Sequence, residues 1–139
     1  MNIRTDYISI STNGFTDIIN ITEKVAEAVK KSAIQSGTVT IFISGSTAGV
    51  TTIEYEPGLL KDLPEAFEKL APTNQRYHHD ATWHDGNGFS HVRSALLGAS
   101  LTVPFRESRL LVGTWQQIVV IDFDNRPRRR EVIVQIMGM

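Results

Sequence analysis

The chain contains no cysteine. That excludes disulfides, thiolate metal sites and a thiol nucleophile. It has almost no charge imbalance, with 14 basic against 15 acidic residues. Neither nucleic acid nor an anionic lipid surface is therefore an expected partner. No apolar run approaches the ~20 residues of a membrane span. The opening residues, MNIRTDYISIST, alternate polar and apolar and lack the apolar stretch of a signal peptide. Repeats, low-complexity tracts and linkers are also missing. What remains is the expectation of one soluble, cytoplasmic domain over residues 1–139. A chain of this length buries about two-thirds of its unfolded surface, enough for a core without staples.

The patterning predicts an α+β protein. Alternation over residues 2–10 reads as a strand, Asn13-Gly14 as a turn, and Phe15 to Asn20 as a second strand completing a hairpin. Thr22 is the expected N-cap of a helix over residues 23–36, stopped by Gly37. Thr38 to Ser44 reads as a buried strand and Val50 to Glu56 as an alternating one. Pro57 opens a helix whose apolar stripe runs from Leu59 to Leu70, with Pro64 expected to kink or divide it. Residues 71–89 read as a long loop. Ser90 is the expected cap of a short helix to Gly98, with Val92, Ala95 and Leu96 facing inward. Leu101–Phe105, Arg109–Val112, Trp115–Phe123 and Arg130–Met137 read as strands joined by short connectors, which favours hairpins. The sum is an antiparallel β-sandwich with two or three helices packed against it.

Four histidines, His78, His79, His84 and His91, fall in one 14-residue window with Asp80, Asp85 and Asn87. Imidazole and carboxylate are the ligands a divalent metal accepts when cysteine is absent, with zinc or magnesium as candidates. Imidazole is also the usual general base near neutrality. Adjacent residues in an extended stretch point apart, so at most one of His78 and His79 enters a given site. Arg93 lies on a different helical face from His91, within reach of an anion. Elsewhere, Gly45 to Gly49 forms a small-residue turn containing Thr47. Glu54 places a carboxylate within a strand. Gly113-Thr114-Trp115-Gln116-Gln117 offers a flat wall and amide donors. Arg126, Arg128, Arg129 and Arg130 flank Pro127 and read as a solvated turn or a phosphate receiver.

Several of these segments together resemble the YjbQ-like family, associated with secondary thiamine-phosphate synthase activity. The resemblance rests on Ser46-Thr47-Ala48, Thr51-Thr52-Ile53-Glu54, His79-Asp80, Asp85-Gly86-Asn87-Gly88 and Ser90-His91-Val92-Arg93. It continues through Leu96-Leu97-Gly98, Ser100-Leu101-Thr102-Val103-Pro104, Gly113-Thr114-Trp115-Gln116 and Arg128-Arg129-Arg130, from about residue 5 to the C-terminus. It implies a jelly-roll-like sandwich, a homotrimer, and a polar site near the subunit contacts. The function implied is transfer of a pyrimidine pyrophosphate onto a thiazole phosphate. The alternative is a metal- or phosphate-binding trimer without that activity. His79, Asp80, His91 and Glu54 are the implied catalytic residues. Thr47, Asn87, Arg93, Thr114, Trp115 and Gln116 would bind substrate, a small phosphorylated ligand. His79 and His91 are the implied metal ligands. Gly45 and Phe89 stand where relatives often have histidine, which is expected to weaken a metal site.

Overall fold

A computed structural model describes residues Met1–Met139. Eight strands and four helices follow one another as β1 (Asn2–Thr12), β2 (Asp17–Asn20), α1 (Thr22–Ser32), β3 (Ser36–Ile43) and β4 (Ala48–Glu54). Then come α2 (Pro57–Leu70), α3 (His78–Trp83), α4 (Gly88–Leu97), β5 (Ser100–Arg106), β6 (Arg109–Leu110), β7 (Gln116–Asp122) and β8 (Arg128–Gly138). They form two antiparallel sheets, ordered β1-β8-β3-β5-β6 and β2-β7-β4. The α+β antiparallel architecture expected from the patterning is present. The helices number four, and the strands divide five and three.

The inner faces of the two sheets share one core. Ile8, Val39, Ile41, Val132, Val134 and Ile136 from the larger sheet meet Val50, Ile118 and Val120 from the smaller one, with Val25 and Val29 of α1. The opposite face of the smaller sheet carries a second cluster, in which Val119, Ile121 and Phe123 pack against Phe67 of α2. Phe67 and Phe123 meet edge to face at 4.7 Å between ring centroids. Strand β7 is thus covered on both faces. That is why its sequence reads as an unbroken apolar run instead of an alternation.

The expected N-terminal hairpin is absent. β1 pairs along its whole length with β8, and β2 pairs with β7. The local turn signal at Asn13-Gly14 marks a crossing between sheets, and burial of both strands against distant partners decides the pairing. β5 and β6 do form a hairpin, whereas β7 and β8 separate into different sheets. Thr22 does not cap α1 from outside. It is the first helical residue, and its hydroxyl accepts from Ile118 N–H at 2.8 Å. α1 ends at Ser32, not near residue 36, because Ala33 adopts a left-handed conformation. Gly37 lies in β3 opposite Gly138, where a Cβ would come within 1.9 Å of the Met137 carbonyl oxygen. Its smallness serves sheet pairing, not a helix stop.

α2 continues through Pro64, with the Glu56 carboxylate accepting from the N–H groups of Gly58 and Leu59 at its start. Within the expected loop 71–89 the structure places α3. The face assigned to α4 is reversed. Val92, Ala95 and Leu96 are exposed, while Phe89, Ser90, Arg93 and Ser94 are buried. The buried polar groups are satisfied by backbone: Ser94 donates to Ala48 O at 2.6 Å and Ser90 to Asn87 O at 2.5 Å. Ser90 therefore lies inside the helix and does not cap it.

Candidate functional site: a histidine–carboxylate centre between α3 and α4

His79 and Asp80 stand in the first turn of α3, Asp85 and Asn87 in the following turn, and His91 on α4. The two helices can approach because residue 88 is glycine. A Cβ there would meet Tyr77 Cβ at 2.5 Å. The Gly88 N–H donates to Asp80 Oδ1 at 2.8 Å, fixing one carboxylate oxygen. His79 and His91 come together as expected, with ring centroids 4.1 Å apart and planes tilted by 33°. His78 and His84 are exposed and lie outside this cluster.

His79 Nδ1 is 3.5 Å from Asp85 Oδ1 and 3.7 Å from Asp80 Oδ1. Both separations exceed a hydrogen bond. Nδ1 is buried and has no hydrogen-bond partner, and neither has Asn87 Oδ1. Ligand atoms of His79, Asp80 and Asp85 all lie within 4.8 Å of one another, a group able to hold a metal ion. The group thus drawn together is one histidine and two carboxylates, with His91, the other expected ligand, tilted alongside. Burial lowers the His91 pKa below the usual 6.5, and proximity to His79 lowers it further against the pull of Asp85, Asp124 and Asp80. Its imidazole is neutral at pH 7, the state a general base requires.

Beneath this centre lies a buried charge network that reading the sequence missed. The Asp122 carboxylate is fully buried and receives Arg130 Nε at 2.8 Å and Nη2 at 3.0 Å, with the Thr12 hydroxyl at 2.6 Å. Arg130 Nη2 also donates to Thr47 Oγ1, which donates in turn to Asp124 Oδ2 at 3.0 Å. Asp124 further accepts from Arg128 and from Asn87 Nδ2 at 3.2 Å. Burial alone would raise the Asp124 pKa. Hydrogen bonds from the Asn125 backbone, Asn87, Thr47 and Arg128 outweigh it and hold the group below its usual value. Because Asp124 holds the Asn87 amide nitrogen, the orphaned amide oxygen has a fixed direction. The signal was present as two spacings of two, Asp122 with Asp124 after an apolar run and Arg128 with Arg130. Alternate strand residues share a face.

Several expected substrate contacts are occupied internally. Arg93 is buried and makes four hydrogen bonds, two to Ala71 O, one to Thr16 and one to Glu68, so it ties α4 to α2 and presents nothing to an anion. Thr47 and Arg130 belong to the buried network, as does Arg128; Arg126 and Arg129 are exposed. Phe89 stacks on Phe15 at 6.3 Å and lies under the Arg93 guanidinium at 5.0 Å, away from His91. A histidine there would not have joined this cluster, so the replacement removes no ligand from it. At Gly45, φ is +135° and the nearest neighbour of an added Cβ is Arg130 Nη1.

Glu54 does not converge with the histidines. Thr47 precedes β4 at the end that pairs with Asp122, while Glu54 closes the other end opposite Gln116. Six residue steps of strand carry the chain from Ala48 to Glu54, about 20 Å. Glu54 instead lines a cleft with Thr114 and Trp115. Gln116 is committed to the turn, accepting from Gly113 N–H and donating to Thr52, both at 3.0 Å. Gln117, the second amide of the same segment, lines the cleft in its place.

Fold and centre together define a small α+β protein with two antiparallel sheets and a histidine–carboxylate cluster carried on paired short helices. The family model "UPF0047 protein YjbQ-like" matches residues 6–139, and the chain belongs to that family. It is 36% identical over 130 residues to a UPF0047 protein of Archaeoglobus fulgidus, covering 94% of this chain and 98% of that one. It is 33% identical over 133 residues to the UPF0047 protein YugU of Bacillus subtilis, covering 94% and 97%. Its structure is similar to that of a YbjQ-like protein of unknown function from Sulfolobus solfataricus. The TM-score there is 0.93 at 31% identity, with 99% of each chain covered. No helix is long and apolar enough to cross a membrane.

Proposed function

We propose that His79, Asp80 and Asp85 hold a divalent metal ion and that His91 beside them, as a neutral imidazole, binds and orients the substrate of a transferase acting on a small phosphorylated ligand. One observation carries this reading: a buried, unpartnered imidazole nitrogen faces two carboxylate oxygens at 3.5 and 3.7 Å. Ligand bonds of about 2.1 Å in tetrahedral array put ligand atoms about 3.4 Å apart. Neighbouring ligands of octahedral magnesium would stand closer, at about 2.9 Å. The spacing therefore favours zinc. Asn87 Oδ1, aimed by Asp124, is a further oxygen donor beside them.

The finer reading, supported by the family resemblance, is thiamine-phosphate synthase chemistry, in which a pyrimidine pyrophosphate joins a thiazole phosphate and pyrophosphate departs. A bound divalent ion would supply the charge that stabilises the departing pyrophosphate. With Arg93, Arg128 and Arg130 occupied internally, the ion is the main cation this centre offers to phosphate. A homotrimer is part of the same proposal. The outer face of β1, β8 and β3 leaves Ile3, Tyr7, Phe42 and Met137 exposed, which supports burial against further copies. The strand orders 1-8-3 and 2-7-4 support a jelly-roll reading in which β5 has joined the larger sheet.

Calorimetric titration of chelator-stripped protein with Zn²⁺ tests the centre. Near-stoichiometric binding is expected in the wild type and loss of it in His79→Ala. The absence of saturable heat would refute the metal reading. Wild type supplied with both substrates should then form thiamine phosphate, and His91→Ala should not. Binding of zinc without product formation would leave a metal-binding protein as the correct description.

A further inference from the structure

At the far end of β4 a cleft of about 380 Å³ opens between Asn20, the Glu54-Tyr55-Glu56 segment, Trp115 and Gln117. Its volume falls within the range of small-molecule sites. Two features set its chemistry. First, none of its lining residues is lysine, arginine or histidine, while two are glutamates. The Glu56 carboxylate is committed to the start of α2. That of Glu54 is exposed and makes no hydrogen bond or ion pair within the chain. Second, the walls are aromatic. Trp115 is 73% exposed and Tyr55 41%, so both present open ring surface to an incoming group. The amide rim is already set, because Asn20 Nδ2 donates to Gln117 Oε1 while Asn20 Oδ1 accepts from Thr22.

A phosphate or carboxylate would meet only like charge here, and a neutral apolar group would leave Glu54 unanswered. A compact cation satisfies both features, since ring faces attract positive charge and the free carboxylate neutralises it. We infer that the Glu54–Tyr55–Trp115 cleft binds a small organic cation of the alkylated-ammonium or protonated-amine kind. This deepens the reading of the Glu54 end as a substrate region by giving its ligand's charge. It does not depend on metal at His79, whose centre lies toward the opposite end of β4.

The test titrates the full chain with benzyltrimethylammonium and follows the indole N–H resonances, Trp83 and Trp115 being assigned from Trp83→Phe and Trp115→Phe. Benzyl alcohol and inorganic phosphate serve as controls. The expected result is a saturable shift of the Trp115 resonance with the cation alone, weakened about tenfold or more in Glu54→Gln. Calorimetry should show the same loss in Trp115→Ala. Both side chains are exposed, and unchanged thermal unfolding of each variant confirms its fold. An equal shift from benzyl alcohol, an undiminished response in Glu54→Gln, or no saturation overturns the inference. None of these outcomes bears on zinc binding, so the two sites fail separately.

Discussion

Replacing Arg130 by methionine removes one of the two cations of the buried network, the one paired with Asp122, while keeping much of the side chain's volume. Arg130 is 4% exposed and makes three bonds, two to Asp122 at 2.8 and 3.0 Å and one to Thr47. Breaking a buried pair by removing one partner costs about 3–5 kcal/mol, because the other charge stays buried. Asp122 keeps the Thr12 hydroxyl and the Asp124 N–H as donors, which places the expected loss near the lower end, about 3 kcal/mol. For a chain of this length that lowers the unfolding temperature by about 10 °C. Adding Asp122→Leu removes the stranded charge. The double variant should fall short of the summed single losses by about 2 kcal/mol. It should not reach wild-type stability, since Thr12 and the Asp124 N–H then lose their acceptor. Urea unfolding at pH 7 measures all three, at one protein concentration so that the proposed association of copies would weigh equally on each. A loss below about 1 kcal/mol in Arg130→Met, or simple additivity in the double variant, would refute the account of this network.

Two further outcomes follow from the same geometry. His91 has a folded pKa below its usual 6.5, so the unfolded chain binds the proton first and stability falls as pH drops from 6.5 toward the folded value. Unfolding midpoints between pH 7 and 5 should show this slope, and His91→Gln should flatten it; an unchanged slope in the variant rules His91 out. Asp124, whose pKa is lowered from 3.8, contributes in a separate, more acidic window. Phe89→His should lower stability by about 2–3 kcal/mol through the lost contacts with Phe15 and Arg93. It should leave zinc affinity within about twofold. A tenfold gain in zinc affinity would show that residue 89 reaches the centre after all.

What the sequence disclosed depended on whether local pattern or distant pairing decides a feature. α2, β3 and β7 were legible because their apolar residues face a core at helical or strand spacing. The pairing of β1 with β8 was not, because Asn13-Gly14 signals a turn whichever strand comes next. α4 was placed but inverted. Hydropathy assigns Val92 and Leu96 to the core, yet Arg93 and Ser94 are buried by carbonyls from α2 and β4 that no local window contains. The approach of His79 and His91 followed from their clustering in sequence, but the exclusion of Glu54 followed only from register. The Arg126–Arg130 run was read as one unit, a solvated turn or a phosphate receiver, whereas alternation sends Arg130 inward and Arg129 out.

The two ends of β4, about 20 Å apart, hold respectively the buried network beneath the His79 centre and the Glu54 cleft, and this sets a condition on the proposed enzyme. A two-ring product cannot span that distance, so one chain cannot present both ends to one substrate. If Glu54 and His79 serve the same reaction, they belong to different copies, arranged head to tail in a closed ring. Glu54→Gln and His79→Ala are then each inactive, yet trimers mixed from the two regain activity. An intact junction needs His79 from a Glu54→Gln chain and Glu54 from a His79→Ala chain. Random mixing of equal amounts makes about one junction in four intact, so about a quarter of wild-type turnover should return. Co-refolding the variants and measuring pyrophosphate release reads this directly, with native mass spectrometry confirming exchange. Recovery requires both the trimer and the shared junction. Mixed trimers without recovery would mean that only one end of β4 takes part in the chemistry.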